Sequence, residues 1–160
     1  MSIVLSAADV FSAAILLEER GARFYSESAA RFRGEEKKLL SGLASMERTH
    51  AERFRSILDG LSRSTGEEAD AESQAYLKAL TEDRIFTEAV TPDEGDTFPG
   101  ILEKAITVEK NSVFFYTAVK DTLASKMDGA DIDRLIREEI GHFQSLTDAL
   151  QRRREQEGKA

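Results

Sequence analysis

The chain contains two histidines, and each follows a glutamate by three residues, in Glu47-Arg-Thr-His50 and Glu139-Ile-Gly-His142. On a helix, residues three apart share a face about one turn apart, so each pair can aim a carboxylate oxygen and an imidazole nitrogen at one point. That is a metal-binding pattern. Solvated or core histidines are the ordinary alternative. With glutamate at 19 of 160 positions, both histidines would carry this neighbour by chance roughly 1 time in 70.

The surroundings of the two pairs repeat as well. Glu18 and Tyr25, seven residues apart, recur 91 residues later as Glu109 and Tyr116, and Glu47 and His50 recur 92 residues later as Glu139 and His142. Such regularity marks an internal duplication. Each half reads as an apolar helix carrying Glu with Tyr two turns later, followed by an apolar helix carrying Glu-x-x-His. Two such hairpins predict an all-α, four-helix bundle.

The elements that must position these residues follow from periodicity and punctuation. A first helix is expected from the cap Ser6 to about Phe32, with Val10, Phe11, Ala14, Leu17, Gly21, Phe24 and Ser28 inward and Gly34 as its stop. A second spans about Glu35–Leu58, with Leu39, Leu43, Met46, Glu47, His50, Phe54 and Leu58 inward and Gly60 closing it. A third starts near Pro99 and ends before Gly129, placing Leu102, Ala105, Val108, Glu109, Ser112, Phe115 and Tyr116 inside. The fourth follows the cap Asp128, with Ile132, Leu135, Ile136, Glu139, His142, Phe143, Leu146 and Leu150 inside. About forty residues separate the second and third helices, so this link crosses the length of the bundle. Within it, Ala69–Thr81 predicts a short extra helix with apolar Ala75, Tyr76, Leu77 and Leu80, and Thr91–Thr97 reads as a solvated turn, with attraction of cations by its three acids as the alternative.

Composition narrows the chemistry. A net charge of −8 argues against nucleic-acid binding through phosphates, and Arg152-Arg153-Arg154 suits a helix C-terminus. The absence of cysteine removes disulfides, thiolate zinc sites, iron–sulfur clusters and thiol nucleophiles. Any metal is then held by oxygen and nitrogen. The N-terminal apolar run lacks a basic start and is interrupted by Asp9 and Glu18, unlike a signal peptide. No stretch approaches the ~20 apolar residues of a membrane span. The default expectation is a cytoplasmic protein of one domain.

Four glutamates and two histidines inside a bundle are tolerable only if paired or coordinated. Two divalent ions would balance the four carboxylates. One Glu from each of two helices with Glu-x-x-His from the other two is the ligand set of di-iron and di-manganese carboxylate bundles.

Over nearly its whole length the chain resembles the rubrerythrin-related branch of the ferritin-like superfamily. The resemblance rests on Glu18 with Phe24-Tyr25, Glu47-x-x-His50, Glu109 with Phe115-Tyr116, and Glu139-x-x-His142. It implies a ferritin-like domain over residues 1–154, with its crossover at about 60–98, and a disordered tail over 155–160. It also implies two iron ions per chain, bridged by Glu47 and Glu139, with Glu18 and Glu109 as terminal carboxylates and His50 and His142 as terminal imidazoles. Manganese suits the same donors. Tyr25 and Tyr116 are expected either to hold carboxylates through their hydroxyls or to serve as core aromatics. Gly21 and Ser112, at equivalent places one turn after the terminal glutamates, either leave room beside the metals or serve close helix packing.

The resemblance further implies reaction of Fe(II) with O2 or H2O2, an electron donor of unknown kind, and a homodimer. Three departures limit it. Peroxide-reducing rubrerythrins carry another glutamate where this chain has Ser112, so their redox-linked ligand exchange is not implied. They also carry a four-cysteine rubredoxin domain, and this chain has no cysteine. Bacterioferritins bind haem through a methionine where this chain has Arg48, so no haem is expected. The competing expectations are an iron-storage or iron-transfer protein with ferroxidase character, and a non-catalytic helical module stabilised by metal.

Overall fold

The computed structural model describes residues 5–66, 68–81 and 85–158. Among these residues, five helices form: α1 (Ala7–Ala29), α2 (Gly34–Thr65), α3 (Ala71–Leu80), α4 (Phe98–Ala124) and α5 (Gly129–Glu157). A 3-10 turn, Glu88–Val90, precedes α4. None of the helices is long and apolar enough to cross a membrane.

Helices α1 and α2 form one antiparallel hairpin and α4 and α5 the second, with α1 packed also on α4 and α3. The core falls into two apolar clusters. One, toward the start of α1 and the end of α4, gathers Phe11, Leu17, Phe54, Tyr116, Leu123 and Ile132. The other, at the opposite end of the bundle, gathers Phe24, Tyr25, Leu40, Ile101, Leu102 and Leu146. Each fully buried Leu, Ile or Phe contributes roughly 1.5–3 kcal/mol through desolvation, so these clusters supply the driving force for assembly. Between them lies a belt of buried glutamate and histidine.

The crossover between α2 and α4 is tied down at both ends. Ser6 Oγ accepts from Asp9 N–H at 3.1 Å, and Asp9 Oδ2 accepts from Ser6 N–H at 2.9 Å, closing a reciprocal cap on α1. The other oxygen of the buried Asp9 accepts from the N–H of Asp70 at 2.8 Å, and Asp70 in turn caps α3 through Glu72 N–H and Ser73 N–H. One carboxylate therefore locks the start of α1 to the start of α3. At the far end, Arg31 donates to the carbonyls of Glu94 and Asp96, and Lys104 donates to Asp96 Oδ2 at 2.6 Å and to Thr91 O. Two acids of the Thr91–Thr97 loop also brace the turn, Asp96 Oδ2 accepting from Asp93 N–H at 2.7 Å and Asp93 Oδ1 from Gly95 N–H at 3.0 Å.

Several boundaries and faces differ from the sequence reading. Helix α1 stops at Ala29 rather than Phe32, because Phe32 turns to meet Phe98 edge-on at 5.3 Å. Gly34, in the left-handed region at φ 58°, makes the turn into α2. Gly60 does not end α2; Leu61 carries the apolar stripe another turn and Gly66, at φ 67°, ends it. The crossover therefore begins at residue 66 and not at about 60. The buried line of α2 runs through Leu40, Leu43, Glu47, His50 and Phe54, so Leu40 replaces Leu39 inside and Met46, 42% exposed, lies outside. In α3 only Leu77 of the predicted apolar set is buried; Ala75 and Tyr76 are exposed and the Leu80 side chain lies outside the described residues. Helix α5 continues to Glu157 with Gln151–Glu155 and Arg153–Glu157 contacts, so residues 155–157 are helix and not a disordered tail. Residues 159 and 160 lie outside the described residues.

Replacing Asp9 with Ala removes a helix cap and strands the Asp70 N–H, so Asp9→Ala should cost about 2 kcal/mol. Thermal unfolding followed by circular dichroism should show Tm lowered by roughly 4–8 °C.

Candidate metal centre

The four main helices each contribute one glutamate to the polar belt. Glu18 on α1, Glu47 on α2, Glu109 on α4 and Glu139 on α5 are all buried, as are His50 and His142. Their ligating atoms gather into two sets of four: Glu18, Glu47, His50 and Glu139, and Glu47, Glu109, Glu139 and His142. Within each set the atoms lie within 4.8 Å of one another. Glu47 and Glu139 belong to both. The six residues singled out in the sequence therefore meet, and the two carboxylates of the Glu-x-x-His pairs stand between the two sets.

Both histidines turn Nδ1 toward the carboxylates. His50 Nδ1 lies 3.3 Å from Glu18 Oε2 and 3.2 Å from Glu139 Oε1, and His142 Nδ1 lies 3.3 Å from Glu47 Oε1. The rings are nearly parallel, with centroids 6.1 Å apart. Tyr25 and Tyr116 resolve in favour of holding carboxylates, and they do so across the two hairpins. The Tyr25 hydroxyl of α1 donates to Glu109 Oε1 of α4, and the Tyr116 hydroxyl of α4 donates to Glu18 Oε1 of α1. Each terminal carboxylate thus has Oε1 engaged and Oε2 turned to the histidine side, Glu18 Oε2 toward His50 and Glu109 Oε2 at 3.8 Å from His142 Nδ1.

Residues 9–92, more than half of the chain, match the sequence profile of the family described as Rubrerythrin. The chain belongs to the rubrerythrin family. A crystal structure of a protein from Thermotoga maritima, described as a ferritin-like diiron-carboxylate protein, superposes with a TM-score of 0.71 at 28% sequence identity. The match covers 94% of this chain and 98% of that one. No curated protein matches the chain. The fold is thus the ferritin-like helical bundle.

In this rubrerythrin-family bundle the small residue at position 21 has a definite role. A Cβ added to Gly21 would lie 3.2 Å from Glu47 Oε2 and 3.3 Å from Glu47 Cγ, tighter than ordinary contact. Glycine is therefore what lets the Glu47 carboxylate reach the centre. Ser112, at the equivalent place on α4, is buried and turns its hydroxyl back to the Val108 carbonyl at 3.1 Å.

The electrostatics of the cluster follow from burial among like charges. Burial, reinforced by the charges of Glu18 and Glu139, pushes Glu47 well above the usual carboxylate range. Burial and the charge of Glu18 do the same to Glu139, against the opposing pull of His50. For His50, burial works downward, but Glu139 and Glu18 overcome it and push the imidazole up to about 11. Burial works upward on Glu18, yet hydrogen bonding to Glu47 and the neighbouring His50 and Tyr116 hold it below the usual value. Burial and the surrounding glutamates raise both tyrosines well above 10, so they remain protonated donors. Within the cluster, Glu47 Oε1, Glu139 Oε1 and both ring nitrogens of His142 are buried without a well-aligned hydrogen bond. Three of these face the cluster interior. This donor set of carboxylate oxygens and imidazole nitrogens, left partly unsatisfied in a buried site, fits divalent iron or manganese.

Sequence reasoning missed Glu138. Its Oε2 lies 3.0 Å from His50 Nε2, while its Oε1 accepts from Arg134 Nε at 2.9 Å. Adjacent to a buried glutamate on the helix, position 138 falls off the inner stripe, so periodicity assigns it to solvent. Only the approach of α2 to α5 shows its partner.

Burial raises Glu47 and Glu139 and the neighbouring carboxylates raise His50, while a metal requires the deprotonated donors, so rising pH should strengthen loading. Titration with Mn(II) in weakly buffered solution should release protons, and the affinity should increase as pH rises. Gly21→Ala should gain helix propensity of about 1 kcal/mol but displace Glu47, weakening Mn(II) binding by about tenfold in calorimetry while the metal-free Tm holds or rises.

Proposed function

We propose that this chain is a non-haem di-iron oxidoreductase in which the buried cluster holds two irons and reacts with H2O2 or O2. The observation that carries the reading is the sharing of Glu47 and Glu139 by two donor sets, each completed by one terminal glutamate and one histidine. Two divalent ions would offset the four carboxylate charges, which explains why so much ionisable surface is buried between two apolar clusters. The similar Thermotoga maritima protein, described as a ferritin-like diiron-carboxylate protein, supports the choice of metal.

When bound as Fe(II), the metal pair supplies two electrons, enough with two protons to convert H2O2 to two waters or O2 to H2O2. The chain's own residues prepare the site. Glu18 and Glu109 keep Oε2 for the metals because Tyr116 and Tyr25 hold Oε1. The two hydroxyls also fix the rotamers of these carboxylates, limiting the reorganisation needed when a ligand enters. Glu47 and Glu139 can carry protons in the metal-free state and release them on loading. The two apolar clusters on either side keep bulk water from the centre. A cysteine-free chain carries no thiolate electron relay, so reduction between turnovers is assigned to a separate redox partner.

Anaerobic loading followed by stopped-flow mixing should show two Fe(II) per chain and oxidation within seconds. Faster reaction with H2O2 than with an equal amount of O2 assigns a peroxidase; the reverse order assigns an oxidase or ferroxidase. His50→Ala and Glu139→Ala should each lose at least one metal per chain, and unchanged loading in both would remove the proposed centre.

A further inference from the structure

The internal repeat is broken at one place that bears on the metals. His50 directs Nδ1 to the shared carboxylate of Glu139 and His142 directs Nδ1 to that of Glu47, so each Nε2, across the ring, points away from the centre. His50 Nε2 meets Glu138 Oε2 at 3.0 Å, and Arg134 anchors that carboxylate from the next turn of α5. The 92-residue offset that relates His50 to His142 relates Met46 to Glu138 and Gly42 to Arg134. Neither Met46 nor Gly42 supplies a carboxylate or a cation. Accordingly, His142 Nε2 is buried with no hydrogen-bond partner. Met46, Gly42 and His142 line a cleft of about 620 Å³ between α2 and α5, with Glu138 on its rim.

We propose that the two metal positions are inequivalent, with Glu138 acting as a positioning residue that makes the His50–Glu18 position the tighter one. The inference rests on the metal-centre reading above. A carboxylate on Nε2 fixes the tautomer that leaves the Nδ1 lone pair free for a metal, holds the ring plane, and increases donor strength. His142 has no such support on Nε2: its charged neighbours, Glu47, Glu109 and Glu139, face Nδ1, so no described residue on the far side of the ring fixes the tautomer that frees Nδ1 for a metal. Loss of such a support typically weakens metal binding by 10–100-fold, so about that difference is expected between the two positions. The His50–Glu18 position then fills first and the His142–Glu109 position, bordering the α2–α5 cleft, exchanges its metal more readily.

Anaerobic calorimetry of the full chain with Mn(II), paired with Mössbauer spectra of samples given one 57Fe(II) per chain, tests this. The wild-type chain should bind in two steps separated by tenfold or more, and at one iron per chain should show a single quadrupole doublet. Glu138→Ala should weaken only the tight step, by about 10–100-fold, and split the one-iron spectrum into two doublets. Glu138→Gln, which keeps an acceptor for Nε2, should lie between the two. Met46→Glu, which places a carboxylate beside His142, should tighten only the weak step. Two equal steps in the wild-type chain, or an equal loss in both steps for Glu138→Ala, overturns the inequivalence while leaving the metal centre standing. Absence of metal binding in every variant overturns the centre and the inference together.

Discussion

Burying four carboxylates and two imidazoles at the middle of a helical bundle is the constraint on which the rest of this structure depends. An uncompensated buried charge costs several kcal/mol even after relaxation, and here six ionisable groups lie within a few ångströms of one another. The protein by itself meets part of this cost. The upward shift of Glu47 and Glu139 toward their neutral forms, the His50 imidazole between Glu18 and Glu139, and two tyrosine hydroxyls offset a share of the negative charge. The atoms left without a well-aligned hydrogen bond, on the two shared glutamates and His142, show where that internal compensation stops.

The surrounding packing is arranged to hold the cluster against its own repulsion. Two apolar clusters sit above and below it, and Tyr25 and Tyr116 extend one from each cluster into the polar belt. Because each tyrosine reaches the glutamate of the opposite hairpin, the two hydrogen bonds also staple the hairpins together through the centre. Gly21 contributes by what it lacks, since a methyl group there would press on Glu47. Function and stability are therefore coupled at single positions, and substitutions around the belt should alter both.

Duplication explains the near symmetry of the donors, but the two halves have diverged away from the centre. Glycine stands opposite serine at positions 21 and 112, and methionine opposite glutamate at 46 and 138. The long crossover, fastened by Asp9 to Asp70 at one end and by Arg31 and Lys104 at the other, brings the second hairpin back alongside the first. That return places α4 beside α1, which the tyrosine exchange requires.

The donor types and their helical spacing were legible because ligation by Glu-x-x-His is local: a three-residue offset on a helix puts both side chains on one face whatever the helix packs against. The repeat, the hairpins, the long crossover and the caps at Ser6 and Asp128 were legible for the same reason, since each rests on short-range periodicity or backbone hydrogen bonding. Ends set by long-range packing were not. Phe32 leaves α1 to meet Phe98, and Leu61 draws α2 past Gly60. The choice of partners was likewise tertiary. Tyr25 lies on the same helix face as Glu18 but bonds Glu109, the tyrosine exchange depends on how two hairpins dock, and Glu138 gains its role only because α2 brings His50 to it. Sequence determined which chemistry was possible through local geometry; tertiary packing decided which atoms share it, because that depends on distances between helices that no local spacing encodes.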